Sequence, residues 1–316
     1  MRTIALLLVS VLLLAQDTPT IKVDVDVVNI LFNVRDKKGG LVANLEKSDF
    51  TILEDGKQQD TKYFNRETDL PLTIGLLIDV SVSQGNLIDI EKDAASQFFG
   101  QVLRKQDLAF LISFGADADL LQDYTNSPKL LRAGLEGLHV NSDVGGLHPG
   151  PVPTVYNPKG TILYDAVYLA ASDQLKGQVG RKVLVLITDG EDQGSRYKIQ
   201  QAIEAAQKAD AIIYGFYYVD RAFYSGHGMV FGGVNDGYLR QMCTETGGRV
   251  FHIDRKNSLQ DAFRDLQEEM RSQYAIGYTP TNSAKDGSFR RIEIRATNKD
   301  WKVQARKGYY ALKPQG

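Results

Sequence analysis

Two uninterrupted apolar runs, each closed by an aspartate, constrain this chain more than anything else in it. Thr73-Ile74-Gly75-Leu76-Leu77-Ile78 follows Pro71 and ends at Asp79, and Lys182-Val183-Leu184-Val185-Leu186-Ile187 ends at Thr188-Asp189-Gly190. Runs of this length without polar alternation read as strands buried on both faces, the condition of a parallel sheet covered by helices. Loops leaving the carboxyl ends of such strands gather at one edge, where open α/β sheets bind ligands. Both aspartates are therefore expected at the ligand edge. Gly190 permits a sharp exit from the second strand.

Asp79 opens the turn Asp79-Val80-Ser81-Val82-Ser83, and a helical apolar period follows from about Leu87 to Val102. Spacing by two lets one carboxylate and two hydroxyls curl toward a point if the turn is tight. Between the two strands, Gly160-Thr161-Ile162-Leu163-Tyr164-Asp165-Ala166 puts a threonine where a helix starts. Asp79, Ser81, Ser83, Thr161 and Asp189 thus form a candidate metal set drawn from three loops. Carboxylate and hydroxyl oxygens, completed by water, suit a hard divalent cation. Mg²⁺ fits this inventory, with oxygens at about 2.1 Å. Mn²⁺ fits nearly as well, and Ca²⁺ prefers more oxygens. The set contains no Cys or His, which argues against zinc. By itself Asp-x-Ser-x-Ser is also an ordinary capping turn; the chain order of all three segments is what favours a metal. Asp165 is read as bracing the loop behind Thr161.

Asp79-x-Ser81-x-Ser83, then Thr161, then Asp189 resembles the metal-ion-dependent adhesion site of von Willebrand factor A domains, with every position of that pattern filled. The resemblance covers roughly Leu72 to Gln273. The flanking stretches Val34–Gly39, Asp49–Gly56, Tyr274–Pro280 and Arg306–Tyr310 resemble an exported bacterial subgroup of the family first noted in acidobacterial sequences, and are weaker markers. The resemblance implies hydroxyl ligands from Ser81, Ser83 and Thr161, and carboxylates from Asp79 and Asp189 acting directly or through water. It also implies an open coordination position that accepts a Glu or Asp carboxylate from a partner protein or peptide.

The rest of the chain sets the frame. Ile4 to Ala15 is almost wholly apolar, preceded by Arg2 and followed by Gln16-Asp17-Thr18-Pro19, as in a secretory signal too short to span a bilayer. The expected mature protein is secreted or periplasmic, with no membrane anchor after cleavage. Cys243 is the single cysteine of the 316 residues and reads as a packed small hydrophobe. A formal charge of −2 with interspersed signs gives no footprint for nucleic acid.

Alternating residues at both ends, Ile21 to Val27 and Ile292 to Ala296, read as half-buried strands. Each terminal segment is too small to be comfortable alone. The expected architecture is a doubly wound, mostly parallel α/β sheet over residues 69–273, following a signal peptide at 1–15. A β segment at 16–68 and another at 274–316 pack together as one β-sandwich-like unit; two separate flaps docked on the centre are the alternative.

Two long loops, 139–160 and 218–234, flank the expected metal edge, and loops beyond about fifteen residues are often functional. Tyr218, Phe223, Tyr224 and Phe231 in the second are candidate partner-binding aromatics. The function read from this is an exported metal-dependent protein-binding module. One alternative is a structural domain with a stabilising metal that binds partners through its β unit. A metal-dependent hydrolase is the other, for which His148 and His227 in the long loops are the plausible bases, each more simply read as a surface or contact residue, and His252 reads as structural.

Overall fold

The computed structural model describes residues 27–67, 69–140, 160–220, 223–224 and 235–313. The signal-like segment, the alternating residues 21–26, His148, His227, Phe231 and most of both long loops lie outside these residues.

A six-stranded sheet forms the centre, in the spatial order Val250–His252, Ala211–Tyr217, Arg181–Thr188, Leu72–Asp79, Leu108–Phe114 and Ala118–Thr125. All neighbouring pairs are parallel except the last, where a tight return adds an antiparallel edge strand. Every residue of Leu72–Asp79 is buried, which explains why that segment shows no polar alternation. Ile74, Leu76 and Ile78 face one core with the helices Ile88–Val102, Pro128–Glu136 and Leu259–Arg271. Leu77, Leu184 and Leu186 face the other with helices Leu163–Leu169, Ile199–Lys208 and Gly237–Thr246. Each fully buried Leu or Ile contributes about 1.5–3 kcal/mol. Apolar packing therefore fixes the strand ends that carry the aspartates. The helix that starts after Thr161 is α-helical over Leu163–Leu169 and continues as a wider π turn over Ala170–Leu175.

The terminal strands make two four-stranded antiparallel sheets. One runs in the order Lys302–Ala305, Val28–Arg35, Gln273–Tyr278 and Thr61–Glu67; the other runs Gly308–Tyr310, Phe289–Ala296, Phe50–Glu54 and Lys57–Gln59. Phe32, Ile30, Ile52, Tyr274, Ile276, Ile292 and Ile294 fill one core between them. Both ends of the chain thus contribute to both sheets. The turn after Ala296 does not close a hairpin: Phe289–Ala296 pairs with Phe50–Glu54, whereas Lys302–Ala305 crosses to pair with Val28–Arg35. Glu269, at the end of the last helix and fully buried, ties the two parts together. It accepts from Arg249 Nε at 2.8 Å and from Gln304 Nε2 at 2.5 Å, and it pairs with Arg35.

Candidate metal centre

Strand register brings the two aspartates together. Ile78 lies opposite Ile187 in adjacent parallel strands, so Asp79 and Thr188 leave the sheet side by side and Asp189 follows one residue later. The Thr188 hydroxyl donates to Asp79 Oδ2 at 2.6 Å and accepts from Gly190 N at 3.0 Å. Gly190 takes a φ of +83°, which turns the chain sharply after Asp189. The other Asp79 oxygen, Oδ1, accepts from Ser81 N at 3.0 Å, so the carboxylate closes its own turn.

The hydroxyls then join the acids in a chain. Ser83 Oγ donates to Asp189 Oδ2 at 2.7 Å, which leaves Ser81 as the donor in the 3.1 Å contact between the two serine hydroxyls. Asp79 and Asp189 are almost wholly buried, while Ser81 and Ser83 are partly open to solvent. Thr161 is placed by its backbone. Its carbonyl accepts from Gln193 N at 3.0 Å and Gly194 N at 3.2 Å, in the loop that follows Asp189. Gly160 has a φ of +139°, and a Cβ there would come within 2.6 Å of Gln193 Cβ, so only glycine lets the two loops approach this closely. Asp165 braces the segment behind Thr161: its Oδ1 accepts from Tyr197 N at 2.8 Å. Asp192 and Ser195 cap the same helix by accepting from Tyr164 N.

Burial and the neighbouring Asp189 push the Asp79 carboxyl up to about 7. Two acids held this close and this dry strain against a shared negative charge, and a cation among their oxygens relieves it. Among the described residues no three His, Cys, Asp or Glu side chains converge as a metal site. The donor set here instead combines two carboxylates with hydroxyls, the chemistry of a hard cation. The donor types of Asp79, Ser81, Ser83 and Asp189, joined through these hydrogen bonds, fit a hard divalent cation, while Thr161 is brought to the same edge by its backbone.

Tyr224, one of the candidate partner-binding aromatics, is 7% exposed and donates its phenol to Asp189 Oδ2 at 2.8 Å. Burial is favoured because the ring finds a carboxylate for its hydroxyl, the usual requirement for an interior tyrosine. Phe223 packs edge-on against that ring at 5.5 Å. Tyr218 is likewise half-buried and packs on the core. Tyr238 is 57% exposed and in edge contact with Tyr164 at 6.3 Å. It lies on the helix Gly237–Thr246, whose period places it away from the core positions Leu239, Met242 and Cys243.

Beneath the cluster, Glu91 and Gln84 are completely buried, and none of their side-chain oxygens or nitrogens has a hydrogen-bond partner. Burial raises the Glu91 carboxyl well above its ordinary range, helped by Asp79 and Asp189. The sequence signal was present: Glu91 occupies an apolar-face position in the series Ile88, Glu91, Ala95, Phe98 and Val102. His252, read as structural, is engaged by Asp236 at 2.9 Å.

Residues 152–265 match the family model of the von Willebrand factor type A domain. That span takes in Thr161 and Asp189, and the structure adds Asp79, Ser81 and Ser83 at the same sheet edge. The chain carries a von Willebrand factor type A domain. Among solved structures, this domain and its flanks are similar to a von Willebrand factor type A protein from Catenulispora acidiphila, at 13% identity and a TM-score of 0.49, covering 92% of this chain and 75% of that one. An aerotolerance-related membrane protein from Bacteroides fragilis is similar at 16% identity and a TM-score of 0.45, covering 63% of this chain and 98% of that one. Proximal thread matrix protein 1 from the mussel byssus, with a zinc-occupied MIDAS motif, is similar at 13% identity and a TM-score of 0.47, covering 66% and 50%. No curated protein sequence matches the chain. Among the described residues, no helix is long and apolar enough to cross a membrane.

Proposed function

We propose that this protein is an exported, metal-dependent protein-binding module. A divalent cation, Mg²⁺ first and Mn²⁺ or Ca²⁺ as substitutes, is held by Asp79, Ser81, Ser83, Thr161 and Asp189 and takes the Glu or Asp carboxylate of a partner protein or peptide. The observation that carries this reading is the junction of the two buried aspartates through Thr188 and Ser83 at the carboxyl edge of the sheet. Export rests on the apolar segment Ile4 to Ala15 behind Arg2.

Each residue has a distinct task. Asp79 and Asp189 supply the negative charge that balances the cation. Ser81, Ser83 and Thr161 supply neutral oxygens and add no further negative charge, so an incoming acid can complete the cation's coordination. Thr188 orients Asp79, while Asp165, Asp192 and Ser195 hold the loop behind Thr161. Tyr164 and the exposed Tyr238 form an aromatic rim beside these acids, a residue type enriched where partners dock.

Immobilised protein offered peptides with a single Glu or Asp, and their Gln or Asn counterparts, tests this reading. Retention of the acidic peptides in Mg²⁺, lost in EDTA and lost with the amide peptides, is expected. Equal retention of acid and amide forms in EDTA contradicts it and favours partner binding through the β sheets.

A further inference from the structure

Asp189 Oδ2 is shared. It accepts from Ser83 Oγ at 2.7 Å and from Tyr224 Oη at 2.8 Å. The phenol thus stands within hydrogen-bond reach of a carboxylate oxygen of the metal set, and it is also in contact with the Ser83 hydroxyl. A group this close to two donor residues lies against the oxygens that would hold the cation.

The contact is built rather than incidental. Asp220 starts the turn that carries Tyr224: its carbonyl accepts from Tyr224 N at 3.3 Å and its Oδ1 from Phe223 N at 3.2 Å. Asn86 Nδ2, three residues beyond Ser83, donates to Asp220 Oδ2 at 2.6 Å and fixes that turn to the Asp79–Ser83 loop. The Phe223 ring packs edge-on at 87° against the tyrosine. The phenol is therefore registered to the metal loop through its backbone as well as its hydroxyl.

We propose that Tyr224 is an intrinsic occupant of the metal site, whose phenol holds the place beside Asp189 and Ser83 that a partner's carboxylate must take. This rests on the metal-binding reading above. The partner then binds only by displacing the phenol, and the cost of that displacement sets a threshold that excludes weak, isolated carboxylates. Almost every protein surface shows an acid, so a site without such a threshold would be filled indiscriminately. A partner that also engages the rim at Tyr164 and Tyr238 gains enough contact to exceed it.

The test uses the full chain saturated with Mn²⁺ and a blocked pentapeptide, Gly-Gly-Glu-Gly-Gly, as the probe. Mn²⁺ affinity is read by calorimetry and peptide entry by water-proton relaxation at the metal. Tyr224→Ala is expected to bind the peptide at least tenfold more tightly than wild type, with Mn²⁺ affinity changed less than threefold. Tyr224→Phe, which keeps the ring and its packing, is expected to gain at least threefold. Unchanged peptide affinity in Tyr224→Phe with Mn²⁺ bound overturns the proposal while leaving the metal site intact. A tenfold loss of Mn²⁺ affinity in both variants also overturns it and makes Tyr224 a brace for Asp189. Absence of Mn²⁺ binding by the wild type overturns the metal reading itself, and this proposal with it.

Discussion

The hydroxyl of Thr188 donates to Asp79 Oδ2 at 2.6 Å, joining the ends of two neighbouring parallel strands directly above their shared core. It fixes the orientation of a carboxylate whose other oxygen closes the turn to Ser81. Orienting partners of this kind typically change metal affinity by about 10–100-fold. Thr188→Val keeps the shape and removes the bond. Its Mn²⁺ affinity is expected to fall about tenfold. The variant should also lose about 1–3 kcal/mol in urea unfolding, because buried Asp79 and Gly190 N lose a partner. Unchanged titration would show that Thr188 does not position the site.

Glu91 gives the protein an unusual pH dependence. Its carboxyl is raised well above the ordinary value by burial, then by Asp79 and Asp189. The folded chain keeps a proton that the unfolded chain releases above about pH 4.3. Stability therefore falls as pH rises above that value. Glu91→Gln cannot ionise, so it removes this slope. Denaturant unfolding in EDTA at pH 5 and pH 8 is expected to show similar stabilities at pH 5. At pH 8 the variant should be the more stable of the two. A constant difference between the two proteins at both pH values would mean that Glu91 does not titrate in this way.

Glu269 should carry the junction between the central sheet and the terminal strands. Replacing it with alanine leaves Arg35, Arg249 and Gln304 without their common acceptor. Removing one partner of a buried ion pair costs about 3–5 kcal/mol. Glu269→Ala is expected to unfold at correspondingly lower urea. A loss below 1 kcal/mol, about that of a surface pair, would show that solvent already screens this cluster.

Much of this arrangement was legible in the chain because parallel strands obey a simple rule. A run buried on both faces cannot alternate, so Thr73–Ile78 and Lys182–Ile187 announced themselves, and the aspartates that end them had to share an edge. The period of Ile292 and Ile294 likewise showed half-buried strands. What was not legible depended on register or on long-range contact. Thr188 became an orienting residue only because Ile78 pairs with Ile187. Lys302–Ala305 follows Phe289–Ala296 closely in sequence yet crosses to the other sheet, which alternation alone does not reveal. Tyr224 sits in a loop with no hydrophobic period, so nothing local distinguished an inward phenol from an outward one. Glu91 could have been found, as an acid on the apolar face of an otherwise ordinary amphipathic helix.

The most direct measurement of the central claim is calorimetric titration of the full chain with Mg²⁺ and with Mn²⁺, comparing wild type with Asp79→Ala and Asp189→Ala. Circular dichroism on the same samples checks that the sheet, held by its two apolar cores, remains folded. Saturable binding of one cation by the wild type, abolished in both folded variants, is the predicted result. Equal heats in wild type and variants would contradict the account, because the two aspartates would then hold no metal.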